Sequence, residues 1–321
     1  LKKILGLESG KKYDDVNSLR YGRIILMCDQ DVDGTHIKSL IFNLFHTLWP
    51  SLLKQDGFLS SILTPIVKTL KGKKEQNFYT LTEFDEWKEA TSDSSKYSIK
   101  YYKGLGTSTS QEAKQYFKDM ITANYCFGDQ TDQKMELAFN KSLADARKTW
   151  IGDYDRDSII DCMKQQNVTF EEFIDKDLIH YSVYNLERSI PHMLDGFKKS
   201  IRKIIFCCFK KKLYSELKVA QLAGYVSENG AYHHGEASLQ QSIIGLAQDF
   251  VGSNNISVLL PKGQFGSRLQ GGGDAASPRY IFTELNPIVK LIFHEDDMKV
   301  LDYLEEDGMT IEPEHYIPII P

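Results

Sequence analysis

Three aspartates, Asp29, Asp31 and Asp33, occupy alternate positions in the stretch "LMCDQDVDGTHIKSL", which begins at Leu26. Alternate residues of an extended chain point the same way, so the three carboxylates are expected to converge. Carboxylates this close repel one another, and a divalent cation is the natural way to keep all of them ionised at neutral pH. Oxygen ligands in a water-accessible turn suit Mg²⁺. The spacing therefore predicts a magnesium site that serves phosphodiester chemistry.

A calcium loop is the first alternative for these aspartates. The pattern "DQDVDG" at 29–34 reproduces the first half of an EF-hand. The twelfth position of such a loop carries a bidentate glutamate, but here it is Leu40. The preceding segment is also strand-like rather than helical. We therefore exclude a calcium loop.

A phosphatase site is the second alternative. "DVDGT" after an apolar strand resembles the nucleophile motif of haloacid-dehalogenase-type phosphatases, and "GDYDRD" at 152–157 matches the spacing of their later metal motif. In this interpretation Asp31 attacks a phosphoryl group and Asp33 is the acid/base. Asp153 and Asp157 then hold Mg²⁺. Those later aspartates should follow an apolar strand, whereas they follow "RKTWI".

The pattern around the aspartates predicts a strand, a turn and a helix. Residues 23–28, "RIILMC", are an apolar run of strand length. Thr35 is expected to cap a helix whose apolar positions recur at helical spacing from Ile37 to Leu48, and Pro50 ends that pattern. The aspartates then lie at the carboxyl end of a strand, where open α/β sheets bind ligands. Further strand and helix patterns predict an α/β domain up to about residue 150.

The second half of the chain predicts a mainly helical domain. "LKVAQLAGYV" and "EASLQQSIIGLAQDFV" have helical periodicity, and the turn between them contains glycine, which is typical of a helix-turn-helix. A glycine-rich loop with short β runs follows, as in a winged variant. Residues 151–180 are polar without clear periodicity, and we interpret them as a linker.

Composition and charge limit the function classes. With 41% hydrophobic and 26% charged residues, the chain is typical of a soluble globular protein, and no apolar run is long enough for a membrane span. Five cysteines without paired spacing favour free thiols in a reducing compartment. The net charge is −5, but residues 198–218 are strongly basic, which indicates a nucleic-acid surface. The absent initial Met and the apolar end "YIPIIP" lead us to expect a segment of a longer polypeptide.

Long motifs along the chain resemble those of eukaryotic-type type IIA DNA topoisomerases. Besides "DQDVDGTHIK", they are "YYKGLGTSTS" at 101–110, "GAYHHGEASL" at 230–239, "VGSNN" at 251–255, "GQFGSRL" at 263–269 and "DAASPRYIFTEL" at 274–285. The resemblance implies an α/β topoisomerase-primase (Toprim) domain with a parallel sheet, then a winged-helix domain and the start of an α/β tower domain. The expected ranges are 1–150 for the Toprim domain without its N-terminal part, 151–180 for the linker, 181–311 for the winged-helix domain and 312–321 for the tower.

The resemblance also implies catalytic roles. It assigns Tyr280 as the nucleophile, Arg279 as the stabiliser of the transition state, His234 as support for the same phosphate, and Lys103 as a contact to DNA near the metal. A phenol is a weak nucleophile at neutral pH, but cations around it and around the phosphate activate it. The planar guanidinium of an arginine offers donors to the charge that develops on the phosphate.

Metal and DNA contacts are implied in the same way. Asp29 and Asp31 are expected to ligate Mg²⁺ directly, with Asp33 as a further ligand or a neighbour, and Mn²⁺ or Ca²⁺ can take the place of Mg²⁺. The family's remaining metal-binding glutamate, and the tower isoleucine that intercalates into DNA, are expected to lie outside this chain. Residues that match the family's phosphate contacts are Arg147, Lys148, Lys198, Arg202, Lys203, Tyr232 and Ser238.

Taken together, the resemblance implies an ATP-dependent enzyme that passes one duplex through another and works as a homodimer on double-stranded DNA. ATP would be used by a domain that is absent from this chain. No membrane partner is expected, and the location would be the nucleus for a cellular enzyme or a cytoplasmic replication site for a viral one. The alternatives are a phosphatase that uses Asp31 and a non-catalytic winged-helix module that only binds DNA.

Overall fold

The computed structural model describes residues 1–72, 74–102, 104–306 and 309–320. The chain divides into two compact units, Leu1–Tyr184 and Asn185–Pro321. Within the described ranges, no helix combines the length and the apolar character that crossing a membrane requires.

The first unit alternates strands with helices. Its strands are β1 (Ile24–Leu26), β2 (Leu59–Ile62), β3 (Val67–Lys71), β4 (Lys74–Phe78), β5 (Ser98–Tyr101), β6 (Thr122–Cys126) and β7 (Asn167–Thr169). Its helices are α1 (Lys2–Leu5), α2 (Val32–Leu48), α3 (Pro50–Leu53), α4 (Leu81–Ala90), α5 (Ser110–Asp119), α6 (Thr131–Phe139), α7 (Ala144–Gly152), α8 (Phe170–Glu172) and α9 (Ile179–Ser189), the last of which crosses the unit boundary.

Two sheets organise this unit. The larger has the strand order β1-β2-β6-β7, with β1 parallel to β2, β6 antiparallel to β2, and β7 parallel to β6. The smaller is antiparallel, in the order β4-β3-β5. The predicted α/β class with parallel strand pairs is confirmed, and the larger sheet is mixed because β6 runs against β2.

An aromatic cluster forms the core under the larger sheet. Phe42 of α2 packs edge-on against Phe170 and Phe173, with ring centroids 5.1 and 4.9 Å away. All three side chains are at most 1% exposed. Burying side chains of this size stabilises the fold by roughly 1.5–3 kcal/mol each. This cluster anchors α2, the helix whose start carries the aspartates.

Residues 151–180 belong to the first unit instead of forming a separate linker. They contain β7, which extends the larger sheet, α8, and a π-helical segment, Phe173–Leu178, that runs directly into α9. Val168 and Phe173 are each 1% exposed. The polar composition hid these elements because only a few apolar positions are needed to fix so short a strand.

The second unit is built from helices and short antiparallel strands. Its helices are α10 (Lys199–Lys211), α11 (Val219–Asn229), α12 (Glu236–Ala247) and α13 (Val289–Ile292). Its strands are β8 (Leu217–Lys218), β9 (Leu259–Lys262), β10 (Phe282–Leu285), β11 (Tyr303–Glu306) and β12 (Met309–Pro313), with β8-β10-β9 forming one sheet and β11-β12 a hairpin.

One hydrophobic core holds the second unit together. Its members come from α10, α11 and α12 and from the small sheet, and they include Ile204, Leu222, Ile243, Leu259 and Ile281. The side chain of Tyr316, in the stretch expected to begin a tower, is 1% exposed and belongs to the same core. The described part of 312–321 therefore packs as part of this unit.

Candidate functional site

The aspartate turn lies between β1 and α2, as the sequence predicts. Asp31 is the N-cap residue of α2, with extended backbone angles, and its Oδ1 accepts a 2.6 Å hydrogen bond from the Gly34 amide. The prediction that Thr35 caps the helix is wrong, because the cap lies four positions earlier. Thr35 instead donates its amide to the Asp31 carbonyl in the first helical turn.

Asp29 is held by a glycine loop from elsewhere in the unit. Its Oδ1 accepts a 2.6 Å hydrogen bond from the Leu105 amide, in the loop between β5 and α5. A Cβ on Gly104 would lie 3.1 Å from the same oxygen, and a Cβ on Gly34 would lie 2.0 Å from the Asp29 carbonyl oxygen. Glycine at these two positions therefore lets two stretches of backbone close around Asp29.

The three aspartates do not form a preorganised triad. In the part of the chain that the structure describes, no group of three or more Asp, Glu, His or Cys side chains is arranged to hold a metal ion. The alternation argument fails at Asp33 because α2 begins at Val32. Within a helix, residues two apart point about 200° away from each other.

Two carboxylates nevertheless fit Mg²⁺. This ion is usually bound through one or two carboxylates, while water and substrate phosphates complete its octahedron. Asp29 and Asp31 each use Oδ1 for a backbone hydrogen bond, which fixes the carboxylate and leaves it a second oxygen. Burial raises the pKa of the neighbouring Cys28 thiol, so this side chain stays neutral beside them.

The phosphatase interpretation lacks its second motif in this structure. Asp153 is the C-terminal cap of α7, and Asp157 lies in the turn that follows it. Neither residue follows a strand, which that metal site requires. The match of "GDYDRD" is therefore a coincidence of spacing.

Tyr280 lies in the second unit and is 71% exposed. The backbone on either side of it is pinned to the start of α11: the Val219 amide donates to the Ile281 carbonyl and the Ala220 amide to the Pro278 carbonyl, both at 3.1 Å. The Ile281 side chain is 2% exposed in the core. A fixed backbone therefore presents the phenol to solvent.

Two predicted partners of Tyr280 are also at the surface. The guanidinium carbon of Arg279 lies 5.6 Å from the centroid of the Tyr280 ring. His234 is exposed in the loop between α11 and α12, where its ring stands edge-on to Tyr232 at 5.4 Å. Lys103, the fourth predicted catalytic residue, lies outside the described residues.

The predicted phosphate contact at Arg202 is buried. Its side chain is 5% exposed and that of Asp195 is fully buried. The guanidinium binds Asp195 through two hydrogen bonds, Nε to Oδ2 at 2.8 Å and one terminal nitrogen to Oδ1 at 3.0 Å. In this arrangement Arg202 stabilises the fold, and its charge is already neutralised.

Lys203 and Tyr232 also face inward. The Lys203 ammonium donates to the Glu312 carboxylate at 2.8 Å and to the Gly230 carbonyl at 2.7 Å. Tyr232 is 8% exposed and belongs to the core of the second unit. The predicted DNA contacts at these two residues are therefore not supported by their placement.

The remaining predicted DNA contacts divide by exposure. Lys198, Lys148 and Ser238 are exposed, although Lys148 is paired with Asp145 at 2.7 Å. Arg147 is partly buried and donates to the carbonyls of Leu137 and Asn140. Lys198 and Ser238 are thus the residues of this set that present their side chains to solvent in the second unit.

Comparison with known proteins gives two family matches. A model of the DNA gyrase/topoisomerase IV family matches residues 188–321, and one described as "C-terminal associated domain of TOPRIM" matches residues 62–186. The gap between the two matches falls within two residues of the boundary between the units, after Tyr184.

Whole-chain relatives agree with these matches. The chain is 53% identical to a DNA topoisomerase 2 of Arabidopsis thaliana over 327 residues, which is 100% of this chain and 22% of the relative. It is 50% identical to human DNA topoisomerase 2-beta over 336 residues, covering 99% of this chain and 21% of the relative. The chain thus spans about a fifth of the length of these curated relatives.

A solved structure supports the same assignment. The DNA-binding, cleavage and re-ligation domain of Plasmodium falciparum topoisomerase II matches 100% of this chain and 44% of its own chain, with a TM-score of 0.82 and 50% identity. Motifs, fold and relatives all point to one assignment. The chain belongs to the family of eukaryotic-type type IIA DNA topoisomerases.

Proposed function

We propose that this chain is the DNA-cleaving part of an ATP-dependent topoisomerase that passes one duplex through a transient break in another. The observation that carries the proposal is Tyr280, 71% exposed on a pinned backbone with the Arg279 guanidinium beside its ring. A buried tyrosine would be core packing, whereas this one is positioned to meet a ligand. Membership of the topoisomerase family supplies the reaction class.

The chemistry follows from these side chains. The Tyr280 hydroxyl loses its proton and attacks a backbone phosphorus, so that a new tyrosyl ester forms at the 5′-phosphate and the bond to the 3′-oxygen breaks. Arg279 offers planar donors to the negative charge on the phosphate oxygens. His234 gives the same phosphate a further donor. The tyrosyl ester conserves the energy of the broken bond, so resealing is the reverse attack by the 3′-hydroxyl.

Asp29 and Asp31 would hold Mg²⁺, with Asp33 as a further ligand or a neighbour, and Mn²⁺ or Ca²⁺ could replace it. The ion would neutralise charge on the DNA backbone at the break. The Asp31 carboxylate is oriented by the Gly34 amide and that of Asp29 by the Leu105 amide. Lys103 would contact the DNA near these carboxylates.

The partners follow from the same proposal. Double-stranded DNA is the substrate, and exposed residues such as Lys148, Lys198 and Ser238 would contact its phosphates, which position a protein on DNA without reading its sequence. A homodimer supplies one nucleophile for each strand. ATP would be hydrolysed by a separate domain of the full-length protein, and the enzyme would act in the nucleus, or at a cytoplasmic replication site if a virus encodes it.

Mapping the covalent adduct tests this proposal. Full-length protein is mixed with duplex DNA and Mg²⁺, denatured to trap protein-linked ends, digested with nuclease and protease, and analysed by mass spectrometry. We expect a peptide that carries a nucleotide 5′-phosphate on Tyr280. A stable complex without any adduct would instead show a DNA-binding module, and an adduct on another residue would also refute the assignment.

A further inference from the structure

One carboxylate in the first unit gathers an unusual number of donors. Glu112 of α5 accepts hydrogen bonds from the Tyr102 hydroxyl at 2.6 Å, the Thr109 amide at 2.8 Å, and the Lys100 ammonium at 2.9 Å. The Lys68 ammonium of β3 approaches at 3.4 Å. The Glu112 side chain is only 15% exposed. It therefore links β3, β5 and the start of α5.

The charge balance makes this link strong. Burial on its own would raise the pKa of Glu112, but the hydrogen bonds from Thr109, Tyr102 and Lys100 outweigh it and hold that pKa far below its usual range. Burial and the contact with Glu112 raise the pKa of Tyr102. The carboxylate thus stays ionised and the phenol stays protonated at neutral pH. Hydrogen bonds to an ionised acceptor are about twice as strong as neutral ones.

The donors lie at the two ends of one loop. Residues 102–109 connect β5 to α5, and Glu112 binds Tyr102 at the beginning of this loop and Thr109 at its end. Thr109 also returns a hydrogen bond, as Oγ1 accepts from the Glu112 amide at 3.2 Å. A single side chain therefore fixes the span of the loop.

The middle of the same loop contacts the aspartate turn. The Leu105 amide donates to Asp29 Oδ1 at 2.6 Å, and the Cα of Gly104 is so close that an added Cβ would lie 3.1 Å from this oxygen. Asp29 therefore receives its orientation from a loop whose ends Glu112 holds.

We propose that Glu112 is a positioning residue: by clamping loop 102–109 it sets the orientation of Asp29 and hence the affinity of the aspartate turn for a divalent cation. This inference rests on the proposed function, because it assumes that Asp29 binds the metal. Groups that orient metal ligands through hydrogen bonds typically change metal affinity about 10- to 100-fold when they are lost.

The test uses Glu112→Gln in the full-length dimer bound to a short duplex without ATP. Manganese affinity is measured by electron paramagnetic resonance, and the Mg²⁺ concentration for half-maximal DNA cleavage is measured in parallel. We expect both midpoints to rise about tenfold. Tyr102→Phe removes a single hydroxyl donor, and we expect it to raise both midpoints about threefold, so the inference stays testable if Glu112→Gln does not fold.

Glu83→Gln is the matched control. Glu83 closes the same kind of capping box at the start of α4, where it accepts from the Tyr79 and Thr80 amides, and it does not contact loop 102–109 in the described structure. Its midpoints should equal those of the wild type. A lower cleavage yield with unchanged midpoints in both Glu112→Gln and Tyr102→Phe would overturn the inference and leave the proposed function intact. A wild type that neither binds Mn²⁺ nor cleaves DNA would overturn both.

Discussion

Tyr280→Phe in the full-length protein is expected to abolish DNA cleavage while duplex binding is retained. The change removes only the nucleophilic oxygen, and losing the nucleophile of a covalent mechanism costs on the order of 10⁶-fold in rate. The ring stays as it is, because it is 71% exposed and its backbone is held through Ile281 and Pro278. Protein-linked DNA ends and duplex affinity, both measured with Mg²⁺ present, give the two readouts.

Tyr214→Phe is the control for this prediction. Tyr214 is a second exposed tyrosine of the same unit, 47% exposed, with the Lys290 ammonium 3.4 Å from its ring centroid. It therefore has a cation beside it but no place in the proposed mechanism. Cleavage by Tyr214→Phe should match the wild type. Undiminished cleavage by Tyr280→Phe would contradict the proposed chemistry.

Asp195→Ala is expected to destabilise the second unit by about 3–5 kcal/mol, because it leaves the Arg202 guanidinium buried without a counter-charge. Asp195 also accepts the Tyr316 amide at 2.9 Å and the Phe197 amide at 2.9 Å, so the variant loses these links as well. Hydrogen exchange of the α10 amides in the full-length protein measures the effect. Protection there should fall by about 10²- to 10⁴-fold.

Asp296→Ala removes an ion pair of the same unit that lies in solvent. Asp296 and Lys299 are 2.9 Å apart, but their side chains are 72% and 76% exposed. Exposed pairs contribute little, so α10 should keep its protection to within about 0.5 kcal/mol. Equal effects of Asp195→Ala and Asp296→Ala would show that the Arg202 pair carries no special weight. That result would also reopen Arg202 as a DNA contact.

The elements around the aspartates were predictable because hydrophobic periodicity fixes them. The strand β1 and the helix α2 lie where the apolar patterns place them. The cap was misplaced because aspartate and threonine are both good N-caps, and only the backbone decides between Asp31 and Thr35. That error matters, since it places Asp33 inside the helix and removes it from the expected alternation.

Burial of charge was beyond sequence reasoning. Lys203 pairs with Glu312, 109 positions away, and no local pattern connects them. Arg202 and Lys198 are both basic residues of one segment, but only the structure shows that the first is internal and the second exposed. For Glu112 a signal existed, because "TSQE" at 109–112 is a capping box. That pattern does not reveal the convergence of Tyr102, Lys100 and Lys68 on the same carboxylate.

Mixed dimers test the central claim, which is that Tyr280 of one protomer and the aspartates of its partner act on the same phosphate. One full-length protomer carries Tyr280→Phe, and the other carries Asp29→Asn with Asp31→Asn. If the two groups come from different protomers, this dimer keeps one intact site and nicks DNA, whereas a dimer with all three changes in one protomer and none in the other does not cleave. The opposite pattern, nicking only by the second dimer, would contradict the account.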